Sequence, residues 1–371
     1  MSAHYRMSPK MPDAEGRKRT DLSTTPPWSE WETLIRRDPG GRGVASFVYD
    51  GRPLGFGDLE SAARHLARSA SRVALITGFC IVDADPPAAE TDGPPGTLFL
   101  ARALGELGVN VVLLSDAYGV PLLDAGRSLW NLTSPRCEIV EMPIDVVSAD
   151  AWTEAFLDEQ LACGLTHVVA IERAGPSHTI ESVADREGAA AAERFAREVP
   201  PEHRGVHHNM RGTVIDRVTA RAGQIFEQIT ARRLDVATIG VGDGGNELGM
   251  GKFPWSVLRE AIRIGPAACT ACRIAANDTI VAGVSDWGAY ALALSVAVLR
   301  GRADLAANWT GAEQRRLIER LVAAGAVDGV AKQRAVSVDG LAMEEYLRVL
   351  ESLRSSALQC GMGVQLPQRQ G

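Results

Sequence analysis

Six short apolar runs, each separated from the next by a longer stretch, mostly of helical character, constrain this chain more than any other feature. They lie at Val73 to Val82, Val109 to Ser115, Glu138 to Met142, His167 to Glu172, Val236 to Val241 and Thr279 to Val284. In Val73-Ala-Leu-Ile76 and Val111-Val-Leu-Leu114 the apolar residues are consecutive rather than alternating. Strands of that composition bury both faces, and crossovers of this length favour parallel pairing. The expectation is an α/β fold: a doubly wound, mostly parallel sheet with helices on both faces.

One domain over residues 28–371 accommodates this pattern. Residues 1–27 are polar, charged and without a sustained period, and are read as a disordered tail. Trp28 to Arg37 has the spacing of an amphipathic helix, which Asp38-Pro-Gly-Gly-Arg42 ends. Between Arg173 and Asp235 the chain is mostly polar and helical, which allows an inserted cap over 173–235. Gly311 to Arg354 reads as two helices joined by a glycine-containing turn.

The 371 residues are 46% hydrophobic, enough for one large core, and the formal net charge is −7. That charge disfavours a nucleic-acid or anionic-membrane partner and favours a small molecule. No run approaches the roughly 20 apolar residues that span a bilayer, and no signal peptide is seen. The six cysteines lack the spacing of a disulfide framework, so a reducing cytoplasm is expected, and a homo-oligomer is compatible with everything above.

Chemistry concentrates in Gly240-Val-Gly-Asp-Gly-Gly-Asn-Glu-Leu-Gly-Met-Gly-Lys252, directly after an expected strand. Ligands of α/β sheets collect beyond strand carboxyl ends, and glycine amides there can cradle a carboxylate or phosphate. Gly244 and Gly245 supply such amides; Asp243, Asn246, Glu247 and Lys252 supply acids, an amide and one of only four lysines. The spacing fits neither a P-loop nor a dinucleotide fingerprint, so no nucleotide cofactor is expected. The plain alternative is a glycine-rich turn with solvated charges.

Three further clusters follow strands. Glu90-Thr-Asp-Gly-Pro-Pro-Gly96 places Glu90 and Asp92 as metal ligands or bases, with Thr91 and Gly93 beside them; Thr91 or Asp92 can instead cap the next helix. Glu172 and Arg173 end another run, and either line a site or form a surface pair. Asp286 and Trp287 open the last cluster, where Asp286 is a ligand contact or only an N-cap. Downstream of Arg173, Arg211 suits bidentate carboxylate recognition, with Asn209 beside it. His203, His207 and His208 have zinc-like spacing but no evident second partner. Cys269 and Cys272 read as two buried thiols in a strand rather than a redox pair.

Taken in order, Asp38-Pro-Gly-Gly-Arg42, Ile76-Thr-Gly-Phe79, Glu90-Thr-Asp-Gly-Pro-Pro-Gly96, Ile171-Glu-Arg173, Asn209-Met-Arg-Gly212, Gly242-Asp-Gly-Gly-Asn-Glu247, Gly249-Met-Gly-Lys252 and Ala324-Gly-Ala-Val-Asp-Gly329 resemble the glutamate cyclase domain family. The resemblance covers roughly Leu34 to Arg354. It implies a lyase that converts D-glutamate to 5-oxo-D-proline and water, assisted by a divalent metal such as Mn²⁺ or Mg²⁺.

Lactam closure needs a neutral α-amine, an electrophilic γ-carboxyl carbon and a proton for the departing oxygen. On this reading Asp243 and Glu247, with Glu90 or Asp92, hold the metal, while Arg211 and the glycine-loop amides bind the α-carboxylate. A remaining acid such as Glu172 is the general base, and Lys252 steadies the oxyanion or protonates the leaving oxygen. The alternatives are a related lyase or dehydrative cyclase acting on another amino acid, or a non-catalytic sensor of an amino acid or phosphate at the same cradle.

Overall fold

A computed structural model describes residues 25–132 and 137–362. Its central sheet contains β1 (Arg72–Thr77), β2 (Asn110–Ser115), β3 (Cys137–Glu141), β4 (Leu165–Ile171), β5 (Ala237–Gly242) and β6 (Asp278–Val281). The spatial order is β6-β5-β4-β1-β2-β3, and every neighbouring pair is parallel. All six expected strands are present.

The consecutive apolar runs serve two cores, because successive strand side chains point to opposite faces. Val73, Leu75, Val111, Leu113, Val169 and Ile171 join one cluster, with Ala62 and Leu66 of helix Asp58–Ser69 and Leu98 and Leu100 of helix Pro94–Glu106. Ala74, Ile76, Val112, Leu114, Val168 and Ala170 join the other, with Phe156 and Leu157 of helix Val146–Ala162. Two covered faces make the sheet doubly wound. Helix Ser285–Leu299 is buried from Ser285 to Val298, as expected of a helix apolar on every side and enclosed between the sheet and helix Met343–Met362.

Residues 173–235, where the sequence allows a cap, form the crossover from β4 to β5. Val183 of helix Ile180–Glu187, Phe195 of helix Ala189–Glu198, and Ile225 and Phe226 of helix Gly223–Ala231 all enter the second core.

Three details differ from expectation. The run Val73 to Val82 is not one strand: Gly78, at φ 107°, turns the chain after Thr77, and Cys80–Ile81 pairs antiparallel with Ala88–Ala89. A Cβ at Gly78 would come within 2.5 Å of Ser115 Oγ, so the close approach requires glycine. Cys269 lies in the short helix Ala267–Thr270 and Cys272 just beyond it, rather than in a strand, and both thiols are buried and free. Between helices Gly311–Ala323 and Met343–Met362 lies a small hairpin, Ser337–Val338 against Leu341–Ala342.

Helix Trp28–Ile35 is present, while the expected tail lies outside the described residues up to position 24. Among the described residues no helix is long and apolar enough to cross a membrane. From β1 the chain builds outward through β2 and β3, then returns to β1's other side with β4. The carboxyl ends of β1 and β4 therefore flank the switch in direction, where open α/β sheets bind ligands.

Candidate active site

A cavity of about 520 Å³ opens at the carboxyl ends of β1, β4 and β5. Glu172 follows β4, Asp243 follows β5, and Glu90 comes from the loop after Ala88–Ala89; all three line the cavity. A fourth carboxylate, Asp339, arrives from the turn of the 337–342 hairpin. Asp339 and Gly340 have φ of 54° and 75°, the left-handed pair that an Asp-Gly hairpin turn needs. Arg42 lies between two of these acids, at 3.2 Å from Asp243 Oδ2 and 2.9 Å from Asp339 Oδ1.

Glu172 is itself in left-handed backbone, at φ 44°. A non-glycine residue there costs about 1–3 kcal/mol and persists only where its surroundings hold it. Its N–H donates to Val241 O at 3.1 Å, and its carboxylate accepts from Ser285 Oγ. The strain thus falls on a cavity-lining acid.

Burial, then the negative charges of Asp339, Asp92 and Asp243, push the Glu90 pKa well up; Arg42 opposes them. Burial, then Glu247, Asp92 and Glu90, do the same to Glu172. For Asp243 burial again raises the pKa, but the strongest opposing influence is the Arg42 guanidinium. Arg42 loses hydration by burial, yet Asp243 and Asp339 more than offset this and raise its pKa. The cluster therefore favours protons or a further cation over full ionisation.

Carboxylate oxygens of Asp92, Asp243 and Asp339 lie within 4.8 Å of one another, as do those of Glu172, Asp243 and Glu247. Asp243 belongs to both groups. Its Oδ2 and Asp339 Oδ2 are buried without a hydrogen-bond partner. Asp243 Oδ2 still faces the Arg42 guanidinium at 3.2 Å, but an all-carboxylate donor set with buried oxygens short of hydrogen bonds fits a hard cation such as Mg²⁺ or Mn²⁺.

Asp92 and Glu247, by contrast, are already engaged. Glu247 accepts from the amides of Gly244 at 2.7 Å and Gly245 at 2.8 Å. The glycine loop is an anion cradle, but the anion is the protein's own side chain, which corrects the expectation that these amides hold a substrate carboxylate. Asn246 likewise turns inward, donating to His208 O at 2.9 Å.

Several expected site residues lie elsewhere. Lys252 pairs with Asp58 at 2.5 Å and donates to Asn277 O, outside the cavity lining. Arg173 is fully buried and ties Gly78 O, Asp116 and Ala220 O together, joining the ends of β1 and β2 to the crossover. Thr91 donates to Ser337 O at 2.8 Å, clamping its loop to the hairpin that carries Asp339. Gly93 donates to Asp286, and Trp287 donates to Tyr346 O within the core. Among the described residues no three-ligand metal group contains a histidine; His203 faces His208 at 3.0 Å and His207 pairs with Asp216.

Asn209 and Arg211 do line the cavity, and Asn209 Oδ1 accepts from the N–H groups of Arg211 and Thr213, fixing that turn. Reading the sequence missed Arg42, Asp339, Lys332 and Asp83. The last two form an ion pair and belong to the lining. The Asp-Gly dipeptide between Val338 and Leu341 was the available signal for Asp339.

Together these features define a doubly wound α/β protein with an acid-lined cleft at its switch point. Within that class, the chain belongs to the D-glutamate cyclase-like, C-terminal family, whose model matches residues 31–184 and 193–354. It is 31% identical over 285 residues to the human mitochondrial D-glutamate cyclase, a match covering 73% of this chain and 38% of that protein. The chain thus corresponds to well under half of that relative's length.

Proposed function

We propose that the chain is a lyase that cyclises D-glutamate to 5-oxo-D-proline with release of water. The observation that carries this reading is the meeting of Glu90, Glu172, Asp243 and Asp339 in one switch-point cavity of a chain in the D-glutamate cyclase-like family. The name of the human relative supports the choice of substrate.

In the reaction the α-nitrogen loses two protons, a C–N bond forms at the γ-carbon, one C–O bond breaks, and both protons leave on that oxygen as water. Two protons leave the nitrogen and two reach the oxygen, so every cavity acid that takes one passes it on, and all end as they began. Asp243, whose raised pKa is opposed most strongly by the Arg42 guanidinium against it, takes an ammonium proton as general base. Glu90 has no such ion pair in its surroundings of acids, so its neutral form is favoured, and it donates to the departing oxygen.

Arg211 and Lys332 hold the α-carboxylate, with Asn209 fixing the turn that carries Arg211. Glu172 takes the second proton; of the two protons then on Asp243 and Glu172, one completes the water and the other reprotonates Glu90. Holding the flexible chain folded for attack supplies much of the acceleration by orientation. Asp243 and Asp339 would hold a divalent cation, which supplies positive charge against a carboxylate oxygen of the substrate.

The test is a proton NMR time course with D-glutamate and L-glutamate, each with Mn²⁺, Mg²⁺ or chelator. Metal-dependent formation of 5-oxoproline from the D-enantiomer is expected. Folded protein that leaves both enantiomers unchanged would refute the reading.

A further inference from the structure

Free glutamate is small and polar over most of its surface, yet the cavity is neither small nor uniformly polar. Its volume of about 520 Å³ falls in the class, about 300–1,000 Å³, that encloses drug-sized ligands. Besides the acids, its lining includes Phe79, Ile81, Val82, Met210, Ile264 and Val330. Phe79 is anchored in a buried cluster with Ala174, Ile215 and Val218, and Ile81 and Val82 pack against it. Ile264 and Val330 leave 37% and 53% of their surface exposed. Apolar side chains left wet beside a cavity favour any ligand that covers them.

The same wall ends in charge. Lys332 and Asp83 pair across it, and Arg211 lines the same space. A ligand that satisfies the whole lining therefore carries an ammonium toward the acids, a carboxylate toward Arg211 or Lys332, and an apolar extension.

We infer that the site closes the lactam on γ-linked glutamyl amides whose amine carries an apolar chain, the chain lying along Phe79, Ile81, Val82, Ile264 and Val330. The inference rests on the lactam-forming reading above and changes the group that leaves. The α-nitrogen attacks the γ-carbonyl carbon, a C–N bond forms, and the bond to the amine nitrogen breaks. Two protons pass from the α-ammonium to that nitrogen, so 5-oxoproline and a free ammonium product account for every atom and charge. No oxidant or further reactant is needed. An amide carbonyl is also more electrophilic than a carboxylate, so the same acid and base meet a smaller chemical barrier.

The test follows 5-oxoproline by NMR with D-glutamate and with its γ-methyl, γ-butyl and γ-benzyl amides. We expect kcat/KM to rise about tenfold or more from methyl to butyl or benzyl, the scale on which an apolar pocket discriminates chain length. Val330→Asn and Ile264→Asn, at exposed positions, should flatten that rise through KM. Conversion of D-glutamate with amides inert, or with no dependence on chain length, would overturn the inference and leave the glutamate reading standing. If no substrate yields 5-oxoproline, both fall. Amides converted while D-glutamate is inert would uphold the inference and replace water with an amine as the leaving group.

Discussion

Asp92 and Asp286 each cap the helix that the other introduces. Asp92 accepts from the amides of Ser285 and Asp286, both at 2.9 Å, at the start of helix Ser285–Leu299. Asp286 accepts from the amides of Gly93 at 3.0 Å and Gly96 at 2.6 Å, at the start of helix Pro94–Glu106. Its second oxygen takes the Tyr346 hydroxyl at 2.6 Å, and that hydroxyl meets Tyr290. This exchange locks two helix N-termini together directly behind the acid cluster. It also explains why Asp286, a reasonable ligand contact from its place after β6, serves the scaffold.

Burial raises the Asp286 pKa from an ordinary 3.8 to about 7, against the hydrogen bonds of Tyr346, Gly96 and Gly93. A carboxyl with a raised folded pKa binds its proton more tightly folded than unfolded, so its contribution to stability declines as pH rises from about 4 to about 7. Above that window the contribution is constant. In Asp286→Asn the group no longer titrates, and the variant's urea midpoint should change less than the wild type's across pH 4–7. Equal slopes for the two proteins would show that Asp286 keeps its ordinary acidity.

Lys252 gives a contrasting expectation. Its partner Asp58 also accepts from the Thr279 amide at 2.8 Å, so the pair fixes helix Asp58–Ser69 to β6. The lysine side chain is 31% exposed, which limits the pair to about 1 kcal/mol or less. Lys252→Met should lower the urea midpoint slightly and leave kcat/KM for D-glutamate within about twofold. A large fall in kcat with an unchanged midpoint would return the lysine to the chemistry.

How far the sequence could reach depended on whether a feature was local. Val73 to Ile76 and Val111 to Leu114 announce buried parallel strands because both faces are covered, and Glu172 and Asp243 follow from strand ends. Arg42 precedes the whole sheet and Asp339 follows it, so nothing near either residue marks their meeting over Asp243. Lys252 misleads for the opposite reason: it is close in sequence to Asp243, but Gly249, at φ 102°, turns the chain away toward Ile274. The glycine cradle was legible, while its occupant, Glu247, was hidden because a side chain reaching back to its own loop leaves no spacing signal of a ligand.

Glu172 sets stability against function. Replacing it with glycine relieves the left-handed backbone at φ 44° and removes one buried carboxyl from among Glu247, Asp92 and Glu90. The loss of its hydrogen bond with Ser285 opposes these gains. We expect Glu172→Gly to raise the thermal midpoint while lowering kcat by about a hundredfold or more, the scale of a lost acid or base. Thermal unfolding and the NMR assay on the same preparation decide it; a lower midpoint would show that the Ser285 contact outweighs the strain.

Cation binding tests the centre of the cluster without relying on turnover. Asp243 Oδ2 and Asp339 Oδ2 are buried without a hydrogen bond, and Arg42 stands between the two acids, 3.2 Å from that Asp243 oxygen and 2.9 Å from the other oxygen of Asp339. A divalent ion seated there binds the folded chain alone, so stability should rise with ion concentration, by about 2.7 kcal/mol at a hundred times Kd. Mn²⁺ and Mg²⁺ should therefore raise the thermal midpoint, and EDTA should reverse the rise. Asp339→Asn keeps the hairpin turn but removes one charge, since asparagine also tolerates left-handed backbone. Its midpoint should be insensitive to Mn²⁺ at concentrations that stabilise the wild type. An unaltered Mn²⁺ response in Asp339→Asn together with its loss in Asp243→Asn would move the ion to the Glu172, Asp243 and Glu247 group, and no response in the wild type would leave Arg42 as the sole counter-charge of these acids.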